Sequence, residues 1–256
     1  MQTHKGLDMV VSEALLGPSM KPVLIFALEL LVLYSCGSYA MSRMAAWGFG
    51  SGIGKTAFYL LILPGVALHE SAHYLACLLT GTRVGRFVPF LPKNLPDGRL
   101  RLGYVRHEAR SAPVMALIGL APVLLNPMGV LVVTVLLTPL MVTEVISSQP
   151  EVFKERILSS GFLLGSPGVA AAWGYLAFSF ALGSVPSRED LSSMPAVLLL
   201  FALGVLALSF FREGSQDHLL LALAELSAWA AGIYSLPVAV AATAALLLAL
   251  RGRGLS

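Results

Sequence analysis

Between residues 63 and 79 the sequence reads LPGVALHESAHYLACLL, where His69, Glu70 and His73 interrupt an otherwise apolar run. On a helix, residues four apart share one face one turn apart, so His69 and His73 stand together. Two neutral imidazoles at that spacing suit a single zinc ion. Glu70, adjacent in the chain, projects beside such an ion, where its carboxylate can take a proton from water that the metal activates. The pattern H-E-x-x-H on a helix is the metalloprotease signature for this reason. An ionised carboxylate at the middle of a membrane span costs about 2.5–3.5 kcal/mol on insertion scales. Three such groups on one turn therefore point to function rather than to a structural polar cluster.

A catalytic zinc generally has three protein ligands and an open position. The third ligand must come from elsewhere, and Asp190, Glu189, Glu225, Glu29, His107 and His218 are available. Glu70 lies about ten residues from the end of its span, hence about 15 Å deep on the side of the polar segment that follows. Asp190 belongs to a loop expected to open on that same side, and is preferred. Glu225 falls in a span entered from the other face, about 10 Å off in depth, and is the reserve. The segment SREDL also suits a helix start, with Ser187 as cap and Glu189 and Asp190 in the first turn.

These residues need spans to carry them. The chain has 256 residues, 57% hydrophobic and only 12% charged, against about 25% charged in a soluble domain. That is too little polar surface to cover a globule in water. Apolar runs at 22–41, 57–80, 112–137, 168–183 and 196–211 read as membrane spans. The run 218–250 contains Gly232 and Pro237 and reads as one broken span or two short ones. The expected fold is an all-α polytopic membrane protein of about six transmembrane helices. It forms a single membrane-embedded domain over 1–256, with its core at about 57–195. The N-terminal segment lacks the pattern of a cleaved signal peptide, so the first span is expected to direct insertion.

The polar segment 81–111 alternates in GRLRLGYVR, with Leu100, Leu102 and Tyr104 on one face and Arg99 and Arg101 on the other. PDG just before it marks a turn, and VGRFVPFL supplies a partner strand in which Pro89 demands an edge or a bulge. A small β-hairpin at about 83–106 is expected beside the membrane. With six spans, only Arg43, Lys55, Lys154, Arg156 and Arg212 of the 17 Lys and Arg fall on the far side from this hairpin. Twelve against five makes the hairpin side cytoplasmic, with the N-terminus on it, and the cell membrane the expected location. Moving the C-terminus across would leave ten against seven. The basic balance thus reflects topology, and nucleic-acid binding is not implied. Cys36 and Cys77 both fall in apolar runs and form no disulfide framework. GFGSGIGKT imitates a phosphate-binding loop, but Phe49 stands where the rule needs glycine and no strand precedes it, so it reads as a connector.

HESAHYL within a span, followed by β-structure on the cytoplasmic side, resembles the site-2 proteases, a family of intramembrane zinc metalloproteases. The likeness covers about residues 57–195. It implies that an aspartate from a later, partly unwound span completes the zinc site. SVPSREDL offers Pro186 and Asp190 there, without the family's Leu-Asp-Gly. GLAPVLLN resembles the family's Ala-Gly-Pro…Asn element, with one extra residue between Pro122 and Asn126. The likeness gives Asn126 a role in holding a substrate carbonyl or ordering the site; an interhelical hydrogen bond is the plainer alternative.

The expected activity is zinc-dependent endoproteolysis of a membrane-embedded or membrane-proximal polypeptide. One zinc ion per chain is held by His69, His73 and Asp190, with Glu70 as general base. The partners are a membrane-protein substrate and the lipid bilayer. The alternative class is a zinc-binding transporter or a non-catalytic regulatory relative, for which the intramembrane acids Glu29 and Glu225 would suit an ion path.

Overall fold

A computed structural model describes residues 21–48, 52–96, 100–108, 111–147, 155, 157, 162–187, 189–192 and 216–253, with side chains of the last helix described over 224–251. Where water is absent, a backbone must satisfy its own N–H and C=O groups, and long apolar runs do so as helices. The described elements are α1 (Lys21–Gly48), α2 (Gly52–Leu79), strands β1 (Val84–Val88), β2 (Lys93–Asn94), β3 (Leu100–Arg101) and β4 (Tyr104–His107), then α3 (Ala112–Leu137), α4 (Val142–Ile146), α5 (Phe162–Gly165), α6 (Pro167–Gly183) and α7 (Gln216–Arg253). Helices α1, α2, α3 and the Ala224–Arg251 part of α7 are long and apolar enough to cross a membrane; α6 is apolar and shorter. Leu28, Leu31, Leu60, Leu117, Leu136 and Leu247 are each more than half exposed. A lipid-facing surface has this composition, and a water-facing one does not.

The expected fifth span, 196–211, lies outside the described residues. The expectation of a possible double crossing at 218–250 is corrected: α7 is one helix that carries Pro237 inside it. It runs parallel to α1, since the Phe26 ring meets Tyr234 and Arg251 lies over Trp47. Two parallel helices begin at the same end of the bundle. Arg251 thus stands at the far end from Lys21, whereas six crossings would bring both termini to one side.

Helices α2, α3 and α6 form the centre, and small residues let them approach. A Cβ on Gly65 would collide with the Ser179 carbonyl oxygen. A Cβ on Gly183 would lie 2.5 Å from the Gly65 oxygen and 2.7 Å from Asn126 Oδ1. Such close backbones are how helices associate where the hydrophobic effect gives no drive.

Three prolines interrupt these helices, and each frees the carbonyl four residues earlier. Pro64 frees Leu60, whose oxygen accepts the Tyr175 hydroxyl at 2.7 Å. Pro127 frees Val123, whose oxygen accepts the Tyr234 hydroxyl. Pro122 frees Ile118, whose oxygen accepts His73 Nδ1 at 2.8 Å.

Between α2 and α3 the chain makes an irregular hairpin. β1 pairs antiparallel with β4 across a register shift between Val84 and Arg86, and β2 pairs antiparallel with β3. Pro89 falls just past β1, where no ladder N–H is required of it. The expected strand through GRLRLGYVR is broken at Leu102 and Gly103, although Leu91 N–H still donates to the Leu102 carbonyl. Phe87 stacks on Tyr74 at 4.7 Å between ring centroids and holds the hairpin to α2 one residue past His73.

Candidate metal centre

His69 and His73 lie one turn apart on α2, and Asp190 reaches them from the segment that follows α6. His69 Nε2 and His73 Nε2 are 3.2 Å apart. Asp190 Oδ2 is 3.4 Å from His69 Nε2, and Oδ1 is 3.1 Å from His73 Nε2. A tetrahedral zinc with bonds of about 2.0–2.1 Å places its ligand atoms about 3.3 Å from one another. The three observed separations have that scale.

The outer partners fix which ring nitrogens face inward. His69 Nδ1 donates to the Gly183 carbonyl at 2.8 Å, and His73 Nδ1 donates to that of Ile118. A carbonyl only accepts, so both Nδ1 atoms carry hydrogen and both Nε2 atoms of the neutral rings present lone pairs. With the rings neutral, two lone pairs and a carboxylate converge on one point, an arrangement suited to a cation at its centre. Metal-binding histidines are oriented by such second hydrogen bonds.

Both accepting carbonyls are freed by sequence. Pro122 frees that of Ile118. Helix α6 ends at Gly183, Pro186 cannot continue it, and the Ser187 N–H donates to Asp190 Oδ2 at 2.7 Å instead of reaching back to Gly183. Asp190 is itself fixed by a reciprocal cap, its N–H donating to Ser187 Oγ at 3.1 Å. The helix-cap reading of SREDL is therefore compatible with the ligand reading: the cap aims the carboxylate at the two imidazoles.

Glu70 is 9% exposed and lines a cavity of about 590 Å³ together with His69, His73 and Asp190. The hairpin roofs it closely at Gly103, where a Cβ would lie 2.6 Å from Glu70 Cγ and 2.8 Å from the Pro89 oxygen. Glycine at 103 is what lets the strand pass over the carboxylate.

The other candidate residues separate clearly. Glu189 and His107 line the same cavity, outside the ligand cluster. Burial, with the neighbouring His73, pushes the His107 imidazole below its ordinary value. Glu225 is exposed on α7, and Glu29 is half-buried on α1. The side chain of His218 lies outside the described residues. Asn126 is fully buried; its Nδ2 donates to the Pro122 carbonyl at 3.3 Å, and its Oδ1 has no hydrogen-bond partner among the described residues. It packs against Gly183, whose carbonyl holds His69, and is not among the residues lining the cavity. Pro122, Gly183 and Gly103 shape the site through backbone effects that their residue types alone do not announce. A proline four residues past a carbonyl was the available signal for the first.

No protein-family model, curated protein or solved structure matches this chain.

Proposed function

We propose that this chain is an integral membrane zinc metalloprotease of the site-2 protease kind, cutting a polypeptide within or beside the bilayer. The observation that carries the reading is the convergence of His69 Nε2, His73 Nε2 and Asp190 beside Glu70 in one cavity. A zinc ion held there would act as a Lewis acid, lowering the pKa of water and polarising the scissile carbonyl. Glu70 takes the proton from the attacking water and passes it to the leaving nitrogen as the C–N bond breaks. His69 and His73 keep their orientation through the Gly183 and Ile118 carbonyls. Ser187, Glu189 and Ser192 line the cavity and give water a polar way in.

A helical substrate hides its carbonyls in hydrogen bonds and must unwind before it is cut. The hairpin's strands offer an edge on which the unwound chain can lie by β-addition. In this reading the hairpin and N-terminus face the cytoplasm. With α7 parallel to α1, the chain crosses an odd number of times and the C-terminus lies outside. Eleven Lys and Arg against six keep the same orientation.

The test is metal content and cleavage together. Purified protein is expected to carry one zinc ion per chain. Asp190→Ala is expected to lose it, and Glu225→Ala to keep it. Glu70→Gln is expected to retain zinc and lose turnover of a single-span polypeptide; continued turnover would refute the base assignment. Metal transport keeps one supporting observation, the buried and unpartnered Oε2 of Glu29 on α1. Zinc flux into vesicles that persists in Glu70→Gln would favour it.

A further inference from the structure

Three guanidinium groups surround one ring on the hairpin. Arg101 lies 4.3 Å from the Tyr104 centroid, Arg106 5.7 Å and Arg86 5.9 Å. Arg86 and Arg106 are direct cross-strand partners. Like charges directly opposite one another destabilise a strand pair, so this register works against the hairpin's own stability. The Tyr104 ring offsets part of that cost through cation–π attraction. No ion pair joins these arginines to a carboxylate among the described residues. Arg101 Nε is buried and has no hydrogen-bond partner there. A buried donor without an acceptor is costly, and it marks a place where an acceptor is missing.

The position of the cluster says what kind of acceptor fits. Arg101 and Tyr104 line the same cavity as Glu70 and the three metal-ligand candidates, whereas Arg86 and Arg106 are exposed and stand outside it. A lipid headgroup would meet the exposed pair first. Arg101, which carries the orphaned donor, is instead part of the wall of the cavity, where a polypeptide would lie. We propose that Arg101, backed by Arg86 and Arg106, binds a carboxylate side chain of the substrate, so that the protein selects a segment carrying Asp or Glu near the cut. This rests on the proteolytic reading above. Arginine suits the task because its planar fork meets a carboxylate with two parallel hydrogen bonds.

The test uses full-length zinc-loaded protein in phosphatidylcholine nanodiscs and a fluorescent single-span polypeptide series. Each juxtamembrane position carries Glu, Gln or Lys in turn. Wild type is expected to prefer Glu over Gln at one position by about tenfold in kcat/KM, the factor given by one charge-assisted hydrogen bond. Arg101→Gln should bring that ratio to about one, Arg101→Lys should restore part of it, and Arg101→Glu should turn the preference toward Lys. Because the Glu-to-Gln change is also made in the probe, the result does not depend on the variants folding. Equal cleavage of Glu and Gln probes by wild type would overturn the inference. So would an Arg101→Gln defect seen only when phosphatidylglycerol is added to the discs, which would assign the arginines to lipid. Binding measured on Glu70→Gln separates this inference from the reading beneath it. An Arg101-dependent preference for the acidic probe in binding, with no cleavage by wild type, would sink proteolysis and leave acid recognition standing. Cleavage without that preference would do the reverse.

Discussion

Pro122 on α3 holds His73 on α2 in place by lacking a hydrogen. With no N–H at residue 122, the Ile118 carbonyl loses its helical donor. His73 Nδ1 takes that position at 2.8 Å. The helix defect and the His73 ring are thus two halves of one hydrogen bond.

Replacing Pro122 by Ala returns a competing donor. Ala is the best helix former, so α3 itself gains regularity. The restored N–H reaches for the Ile118 carbonyl, and His73 loses its fixed tautomer and orientation. Loss of such an outer partner costs about 10–100-fold in metal affinity. Competition against a chelator of known affinity measures this. Unchanged zinc affinity in Pro122→Ala would show that His73 is positioned by other means.

Gly103→Ala addresses the general base without touching the metal. The added Cβ would meet Glu70 Cγ at 2.6 Å and backbone oxygens of Val88 and Pro89 at 2.9 and 2.8 Å. The backbone oxygens cannot move as freely as a side chain, so hairpin and Glu70 must part. Overpacking of this kind costs about 1–3 kcal/mol. Zinc content is expected to stay at the wild-type level while kcat falls by at least about tenfold, the factor set by 1.4 kcal/mol. Loss of zinc together with turnover would instead place Gly103 in support of the ligands.

Much of this site could be read from the chain. His69, Glu70 and His73 announce themselves because their spacing is local and their chemistry conflicts with the apolar run around them. The hairpin was legible from the alternation of Leu100, Leu102 and Tyr104, although Gly103 breaks the ladder to clear Glu70. Depth along the spans points to Asp190, but sequence alone does not reveal that the cap at Ser187 aims its carboxylate at the histidines. The proline pairs were hidden for a different reason. Sequence identifies which carbonyl a proline frees, but the donors that fill the vacancies come from other helices: Tyr175 for Leu60, His73 for Ile118, Tyr234 for Val123. Only packing decides those partners. The direction of α7 was likewise invisible, because apolar composition carries no sign of which end enters first.

Removal of the metal should loosen the segment after α6. A metal held by His69, His73 and Asp190 would link α2 to the segment after α6, whereas the Ser187–Asp190 cap is local to that segment. Ligand binding to the folded state stabilises it by about 4 kcal/mol at a free concentration about 1,000 times Kd. Chelation should therefore lower Tm and speed proteolytic nicking near residue 188, and added zinc should reverse both. Identical Tm and nicking with and without chelator would argue that no metal couples this segment to α2.

Tyr234 and Pro127 offer a test of the proline pairing away from the metal. The Tyr234 hydroxyl donates to the Val123 carbonyl that Pro127 frees, and the tyrosine is 3% exposed. Tyr234→Phe leaves that oxygen buried without a donor, at a cost of about 1–3 kcal/mol. Pro127→Ala supplies a helical N–H to the same oxygen, so in that background Tyr234→Phe should cost markedly less. The coupling appears as non-additivity in a double-mutant cycle measured by unfolding in detergent. Strict additivity would mean that the Val123 oxygen is satisfied by neither group, and that the pairing of prolines with donors on other helices does not organise this bundle.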